Sequence, residues 1–367
     1  MPPIEPVTAP GTGPESDPEL PPAPASDPES EPTAGDPGKA KPRRRGRRLL
    51  KQCAVAFGFM IVAVTAFSFV YNLTTQGTVP PPPGLTYVQT GDIRTRYREW
   101  GTIGSPILLL HGFIESADSW EPTAELLARD HRVYAVDLDG YGYSQRVAPY
   151  TTAHVTTQVL DFINAMHLVR PVVVGHSSGA AVAGAVALAA PDEIGGVLFL
   201  DGDGLPLSGT ANGGRDSSTF DLPIPQPYRT TLLRLVVRSD TVFRLVYAEA
   251  CGPQCPTLSA AGIEQWRRPF QVPGAEAAAL QVLTAGIPSL PVSSLVDIAR
   301  LPMPKSVVYG AQDPEYEPGS AQQTAARIGA PAPTLIPGAR HLTMVSSPAA
   351  VAAAVESLAT RAAGNGA

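Results

Sequence analysis

Hydrophobic positions fall into three regimes along this chain. Residues 1–42 read as Pro, Ala, Gly, Ser, Glu and Asp with almost no large apolar side chains. Such a stretch cannot bury enough surface to offset its ordering entropy, which predicts disorder. Cys53 to Val70, CAVAFGFMIVAVTAFSFV, then holds eighteen residues without a charge. That is about the length needed to cross a hydrocarbon core as a helix. From Leu85 onward, short apolar runs alternate with longer helical stretches, the signature of a doubly wound α/β sheet.

Strands are predicted at Ile93–Trp100, Ile107–His111, Arg132–Asp137, Pro171–Gly175, Gly196–Asp201, Ser306–Gly310 and Ala332–Ile336. Runs such as ILLL and VVV suit central parallel strands covered on both faces. Helical stretches intervene at Trp120–Arg129 and Thr152–Leu168. Between Asp201 and Ser306 the gap far exceeds what a βαβ crossover needs. It opens on a Gly/Ser/Asp loop, Gly202 to Ser218, and continues with helical patterns near Tyr228–Ala250, Ala260–Arg268, Ala275–Thr284 and Val292–Ala299. This reads as a helical cap inserted into the sheet. Leu232, Leu233, Val236, Val237, Phe243 and Val246 fit a packed helix face and could equally line an acyl pocket.

Composition supports a sizeable core: of 367 residues, 44% are hydrophobic and 16% charged. Thirteen of the 40 prolines precede Arg43. The net charge of −6 matters less than its layout. Residues 1–40 carry eight carboxylates and one cation, Lys39, whereas residues 41–51 carry seven cations and no acid. No broad basic face remains for nucleic acid, so no such partner is expected.

The cations flank the apolar run on its N-terminal side, which should keep that side cytoplasmic and the globular part outside the cytoplasm. A buried core helix and a cleaved signal peptide are the alternatives, the second disfavoured by the long n-region. Asn72-Leu-Thr74 matches a glycosylation acceptor pressed against the membrane. Thr78 to Gly84, with Pro80 to Pro83 inside it, predicts a stiff spacer lifting the domain off the bilayer. The resulting division is a disordered head and basic flank (1–48), a transmembrane helix (49–71) and a Pro-rich linker (72–84). The α/β core (85–202 and 301–362) and the cap (203–300) follow.

Candidate chemistry centres on Pro171-Val-Val-Val-Gly-His-Ser-Ser-Gly-Ala180, where three β-branched residues run into Gly-x-Ser-x-Gly and a small-residue helix follows. A sharp strand-to-helix turn of this kind presents a serine oxygen, here Ser177, at the sheet's carboxyl edge. Serine needs a base held by an anion. Of six histidines, only His341 lies well beyond Ser177, in Gly338-Ala-Arg-His-Leu342. Asp313 follows the strand Ser306–Gly310 directly, with Asp201 and Asp203 as the alternative acid site. Backbone N–H groups of Ser178 and Phe113 are the candidate oxyanion hole. His111 and His176 read as loop braces, and Asp137 and Asp139 as residues ordering the loop Asp137–Ser144. Neither HExxH nor a paired Cys/His set appears, so no metal is expected.

Cys251-Gly-Pro-Gln-Cys255 falls within the cap. Outside the cytoplasm, a disulfide closing this short loop is expected. Three cysteines in all are too few for a disulfide scaffold, and Cys53 needs no role.

HGF at 111–113, DLDGYGYS at 137–144, GHSSG at 175–179, YGAQD at 309–313 and GARH at 338–341 fall in one order and spacing. In these motifs, over residues 85–362, the chain resembles the α/β-hydrolase fold superfamily. The resemblance implies an eight-stranded, mostly parallel sheet, a cap over the active site, no cofactor and a Ser177–Asp313–His341 triad. Asp139 stands where proline is common in relatives, which should change loop rigidity and not chemistry. Superfamily members with a carboxylate nucleophile are set aside by Ser177. The expected function is a membrane-anchored serine hydrolase taking a small-molecule acyl substrate, a carboxylic ester or related bond, through an acyl-enzyme. A non-catalytic hydrolase-like surface binding module, and a serine peptidase or perhydrolase with the same triad, are the alternatives.

Overall fold

The computed structural model describes residues 44–206 and 224–364. The head expected to be disordered, and most of the Gly202–Ser218 loop, lie outside the described residues. The described residues fall into two units divided between Phe57 and Gly58, and the sheet with its helices belongs to the second.

Eight strands, among the described residues, form one sheet: β1 (Thr86–Thr90), β2 (Ile93–Trp100), β3 (Pro106–Leu110), β4 (Arg132–Val136), β5 (Val172–His176), β6 (Gly196–Leu200), β7 (Lys305–Gly310) and β8 (Thr334–Ile336). Their spatial order is β1-β2-β4-β3-β5-β6-β7-β8. The β1–β2 and β2–β4 pairs are antiparallel, and the rest are parallel. Every residue of β3, β5 and β6 is buried, as their unbroken apolar runs require. Strand β1, TYVQT, has no such run and pairs as a hairpin with β2, so the apolar pattern alone passes over it.

The helices, in chain order, begin with α1 (Arg44–Thr74), α2 (Glu121–Leu127), α3 (Thr152–Ala165) and α4 (Ser178–Ala189). Between β6 and β7 come α5 (Tyr228–Arg238), α6 (Asp240–Cys251), α7 (Ala260–Arg267), α8 (Ala275–Ala285) and α9 (Val292–Ala299). The chain ends through α10 (Ser320–Ile328), α11 (Thr343–Ser346) and α12 (Pro348–Gly364). Helices α3, α4, α9 and α10 build one face of the sheet, and α2 and α12 the other.

Two details differ from the sequence pattern. The stretch near Tyr228–Ala250 is two helices, because the Ser239 hydroxyl accepts a hydrogen bond from Val242 N–H and so starts α6 afresh. Helix α9, expected in the cap, packs on α4 and α10, with Leu295 and Ile298 fully buried in the core. Its apolar stripe is thus spent on the sheet layer.

Helix α1 contains a stretch long and apolar enough to cross a membrane, Arg48–Thr74, with a mean hydropathy of 2.3 in its best window. The linker after it is not a free spacer. Val79 N–H donates to Gln271 C=O at 3.0 Å, Arg268 Nη2 to Pro80 C=O at 3.1 Å, and Arg238 Nη1 to Gly77 C=O at 2.8 Å. Arginines of the cap hold the polyproline segment down.

Candidate active site

The chain reverses direction through the sheet at β3, with β4 on one side and β5 on the other. At such a switch point the loops leaving the strands part, and a crevice opens at their carboxyl ends. The loop His111–Gly112–Phe113 leaves β3 there, and Ser177 follows β5 directly.

Ser177 adopts φ 52° and ψ −122°, a conformation strained for any residue with a side chain. The two glycines around it permit this turn. A Cβ on Gly175 would meet Gly179 C=O at 2.1 Å, and one on Gly179 would meet the carbonyl oxygens of Leu110 and His111 at 2.6 Å. The turn is fixed by Ser177 N–H donating to Leu200 C=O at 2.9 Å. Ser178 is the first residue of α4, where backbone N–H groups lack intrahelical acceptors.

His341 Nδ1 lies 2.8 Å from Asp313 Oδ2, and both side chains are buried. Its Nε2 lies 3.3 Å from Glu315 Oε2. Burial opposes a charge on His341, but the Asp313 hydrogen bond and charge, then Glu315 and Asp201, outweigh it and push the imidazole up to about 9. The alternative acids have hydrogen-bond partners of their own. Asp201 accepts from Gly310 N–H at 2.7 Å and from the Thr343 hydroxyl, while burial pushes its carboxyl up to about 7. Asp203 accepts from Leu205 N–H at 2.8 Å.

Ser177, Ser178, Phe113, His341 and Glu315 all line one cavity of about 180 Å³. Its remaining wall is largely apolar, with Val236 from α5, Phe243, Val246 and Tyr247 from α6, and Trp266 from α7. The cap positions expected either to pack or to line a pocket divide between those tasks: Val237 is fully buried, whereas Val236 and Val246 reach the cavity.

The other polar residues brace the crevice. His111 Nε2 accepts from Leu138 N–H at 3.0 Å, and its Nδ1 donates to Gly112 C=O at 2.8 Å. Asp137 accepts from the N–H groups of Ala117 and Tyr143, each at 2.7 Å. Asp139 accepts from Val147 N–H at 3.0 Å. His176 Nε2 donates to His341 C=O at 2.8 Å, and its Nδ1 stands 2.7 Å from Glu115 Oε1. Burial works against both charges of that pair, yet their attraction raises the His176 imidazole and lowers the Glu115 carboxyl, which favours the charged pair under the turn.

Glu115 and Glu315 were not singled out by sequence. Each lies just past a strand end, four residues after His111 and two after Asp313, and that position was the available signal. Cys251 and Cys255 are bridged, their Cα atoms 5.7 Å apart, at the end of α6. There Leu342 N–H donates to Ala250 C=O at 3.2 Å, tying the bridged turn to the residue after His341. Among the described residues, no group of three His, Cys, Asp or Glu side chains is placed to hold a metal ion.

Comparison with known proteins agrees with this architecture. A 2-hydroxy-6-oxo-6-(2'-aminophenyl)hexa-2,4-dienoic acid hydrolase of Metapseudomonas resinovorans is 32% identical over 124 residues, which span 32% of this chain and 42% of that protein. The solved structure of a membrane phospholipase A, described as a bacterial virulence factor, superposes with a TM-score of 0.60 at 21% identity, covering 88% of this chain and 99% of that one. A thermophilic esterase from Thermogutta terrifontis gives 0.58 at 23% identity, covering 76% and 97%. The family model described as the alpha/beta hydrolase family matches residues 107–354. With that match over most of the chain, on this sheet and this strand order, the protein belongs to the alpha/beta hydrolase family.

Proposed function

We propose that this hydrolase is a membrane-anchored serine esterase, cleaving a carboxylic ester through Ser177, His341 and Asp313. The observation that carries the reading is the buried His341–Asp313 contact of 2.8 Å beside a cavity that Ser177 also lines. Ser177 Oγ attacks the ester carbonyl carbon while His341 Nε2 takes its proton. Asp313 holds the Nδ1–H tautomer and stabilises the imidazolium. The negative oxygen of the tetrahedral intermediate faces the backbone N–H groups of Ser178 and Phe113. His341 then protonates the departing alcohol, leaving an acyl-Ser177. Water attacks this ester by the same route and releases the acid. The apolar wall of Val236, Phe243, Val246 and Trp266 suits an uncharged acyl chain.

Helix α1 is the anchor, with its cationic start on the cytoplasmic side and the catalytic body outside. The Cys251–Cys255 bridge accords with an oxidising compartment. A fluorophosphonate reagent should label the wild-type protein and leave Ser177→Ala unlabelled. Folded wild-type protein that resists labelling would overturn the assignment. Parallel assays on amides and on peracid formation separate esterase from peptidase or perhydrolase action.

A further inference from the structure

The last turns of α1 and the residue after it carry a polar stripe that faces the cap. Thr65, Ser68, Asn72 and Thr75 recur at helical spacing. Thr65 Oγ1 hydrogen-bonds Tyr228 Oη at the start of α5. Asn72 Nδ2 donates to Pro227 C=O at 3.0 Å, and Arg234 Nη1 donates to Asn72 C=O and to Thr75 Oγ1. Ser68 is buried, whereas Val62, Phe67, Phe69 and Val70 stay 55–65% exposed. Helix α5 therefore lies along the last turns of α1. Thr65 sits five residues inside the apolar run that ends at Val70, about 7.5 Å along the helix axis. Through the Tyr228 phenol, the start of α5 is thus bonded below the level at which the run leaves the bilayer, while Pro227 and Thr231 meet Asn72 just beyond it.

The same cap helices carry exposed apolar residues. Leu232 on α5 is 48% exposed, and Leu245 and Val246 on α6 are 66% and 47% exposed. Leu232 stands one turn before Val236, which lines the Ser177 cavity. Val246 is at once exposed and a wall of that cavity, so the cavity opens through the apolar face of the cap.

We propose that the α5–α6 face carrying Leu232, Leu245 and Val246 rests in the outer leaflet of the membrane that α1 spans, and that the substrate enters from that leaflet as a bilayer-resident lipid ester. This rests on the anchored-esterase reading and names its substrate class. The contacts between α1 and α5 select a lipid surface as the occupant of the apolar face. The acyl–oxygen bond of the lipid breaks, water supplies the second oxygen of the fatty acid, and the alcohol portion leaves with the proton from His341.

The test uses full-length protein with Cys53→Ser, reconstituted in phosphatidylcholine vesicles. A fluorophore on Leu245→Cys should be quenched by brominated lipid, and one on Leu335→Cys, an exposed β8 position, should not. The double variant Leu232→Glu/Leu245→Glu, neither position lining the cavity, should lose at least about tenfold on a long-chain ester in the vesicles. It should retain hydrolysis of a dissolved short p-nitrophenyl ester within about twofold. No quenching at position 245, equal losses on both esters, or an unaffected vesicle ester each overturn the proposal. Failure of the underlying reading looks different: wild-type protein would cleave neither ester, or would not float with the vesicles.

Discussion

Both nitrogens of His341 face carboxylates: Nδ1 meets Asp313 at 2.8 Å, and Nε2 meets Glu315 at 3.3 Å. The second contact engages the nitrogen that takes the Ser177 proton in the proposed mechanism, and it favours the imidazolium. The Asp313 hydrogen bond and charge first, and Glu315 after them, push the imidazole up to about 9. Activity, which needs the neutral ring, should therefore rise with pH toward that value. Glu315→Gln should move the kcat/KM inflection to lower pH, each unit raising the neutral fraction at pH 7 about tenfold. An unchanged profile would exclude Glu315 from setting the base.

The same imidazole links stability to pH in the opposite sense. Its folded pKa is above the unfolded value of about 6.5, so its stabilising contribution is complete below that pH. The contribution is lost as pH rises through about 9. Subtracting the melting-temperature profile of His341→Gln from that of the wild type should expose a loss confined to this window.

Asp313→Asn should preserve the fold and lower kcat by about 10⁴-fold, because the wrong tautomer of His341 would face Ser177. Asp201→Asn should behave differently. Asp201 binds Gly310 N–H and Thr343 and not His341, so its loss should mainly cost about 1–3 kcal/mol of stability. Urea unfolding and single-turnover kinetics on both variants separate the two roles.

Ser177 holds a positive φ of 52° that glycine would adopt without strain. Ser177→Gly should be inactive yet more stable than Ser177→Ala by about 1–3 kcal/mol. Equal melting temperatures for the two variants would show that the turn stores no strain.

Glu115 and His176 form a buried pair beneath the nucleophile turn, the side chains 5% and 0% exposed. Glu115→Ala would leave a buried imidazole without its counter-charge, at a cost of about 3–5 kcal/mol. Circular dichroism melts of Glu115→Ala, read beside the double variant Glu115→Leu/His176→Leu, check this: the double variant should recover part of the loss.

The Cys251–Cys255 bridge closes a loop too short to add more than about 2 kcal/mol. It ends α6, and Ala250 C=O accepts from Leu342 N–H beside His341. Mild reduction should therefore change kcat more than the melting temperature. A parallel fall in both would mean that the bridge serves global stability.

The motifs that carry local backbone requirements were legible in the chain. Gly175-His-Ser-Ser-Gly179 forms a turn whose two glycine positions exclude a Cβ, and unbroken runs such as ILLL demand burial on both faces. Most of those constraints are local, as with Gly175 against Gly179, so they mark the central strands and the strand-to-helix turn at Ser177. The apolar run of α1 is legible for the same reason. Glu115, Glu315 and the α1–α5 contact were not, because each depends on segments far apart in sequence meeting in space. Glu315 is an ordinary surface-type acid until β7 and the loop after β8 bring His341 to it. Likewise, the stripe of Thr65, Ser68, Asn72 and Thr75 looks like four small polar residues in a greasy helix until α5 and the residue before it supply partners to Thr65, Asn72 and Thr75. Apolar periodicity reports only whether a face is covered; which element covers it, as with α9 on α4 rather than in the cap, is decided by packing.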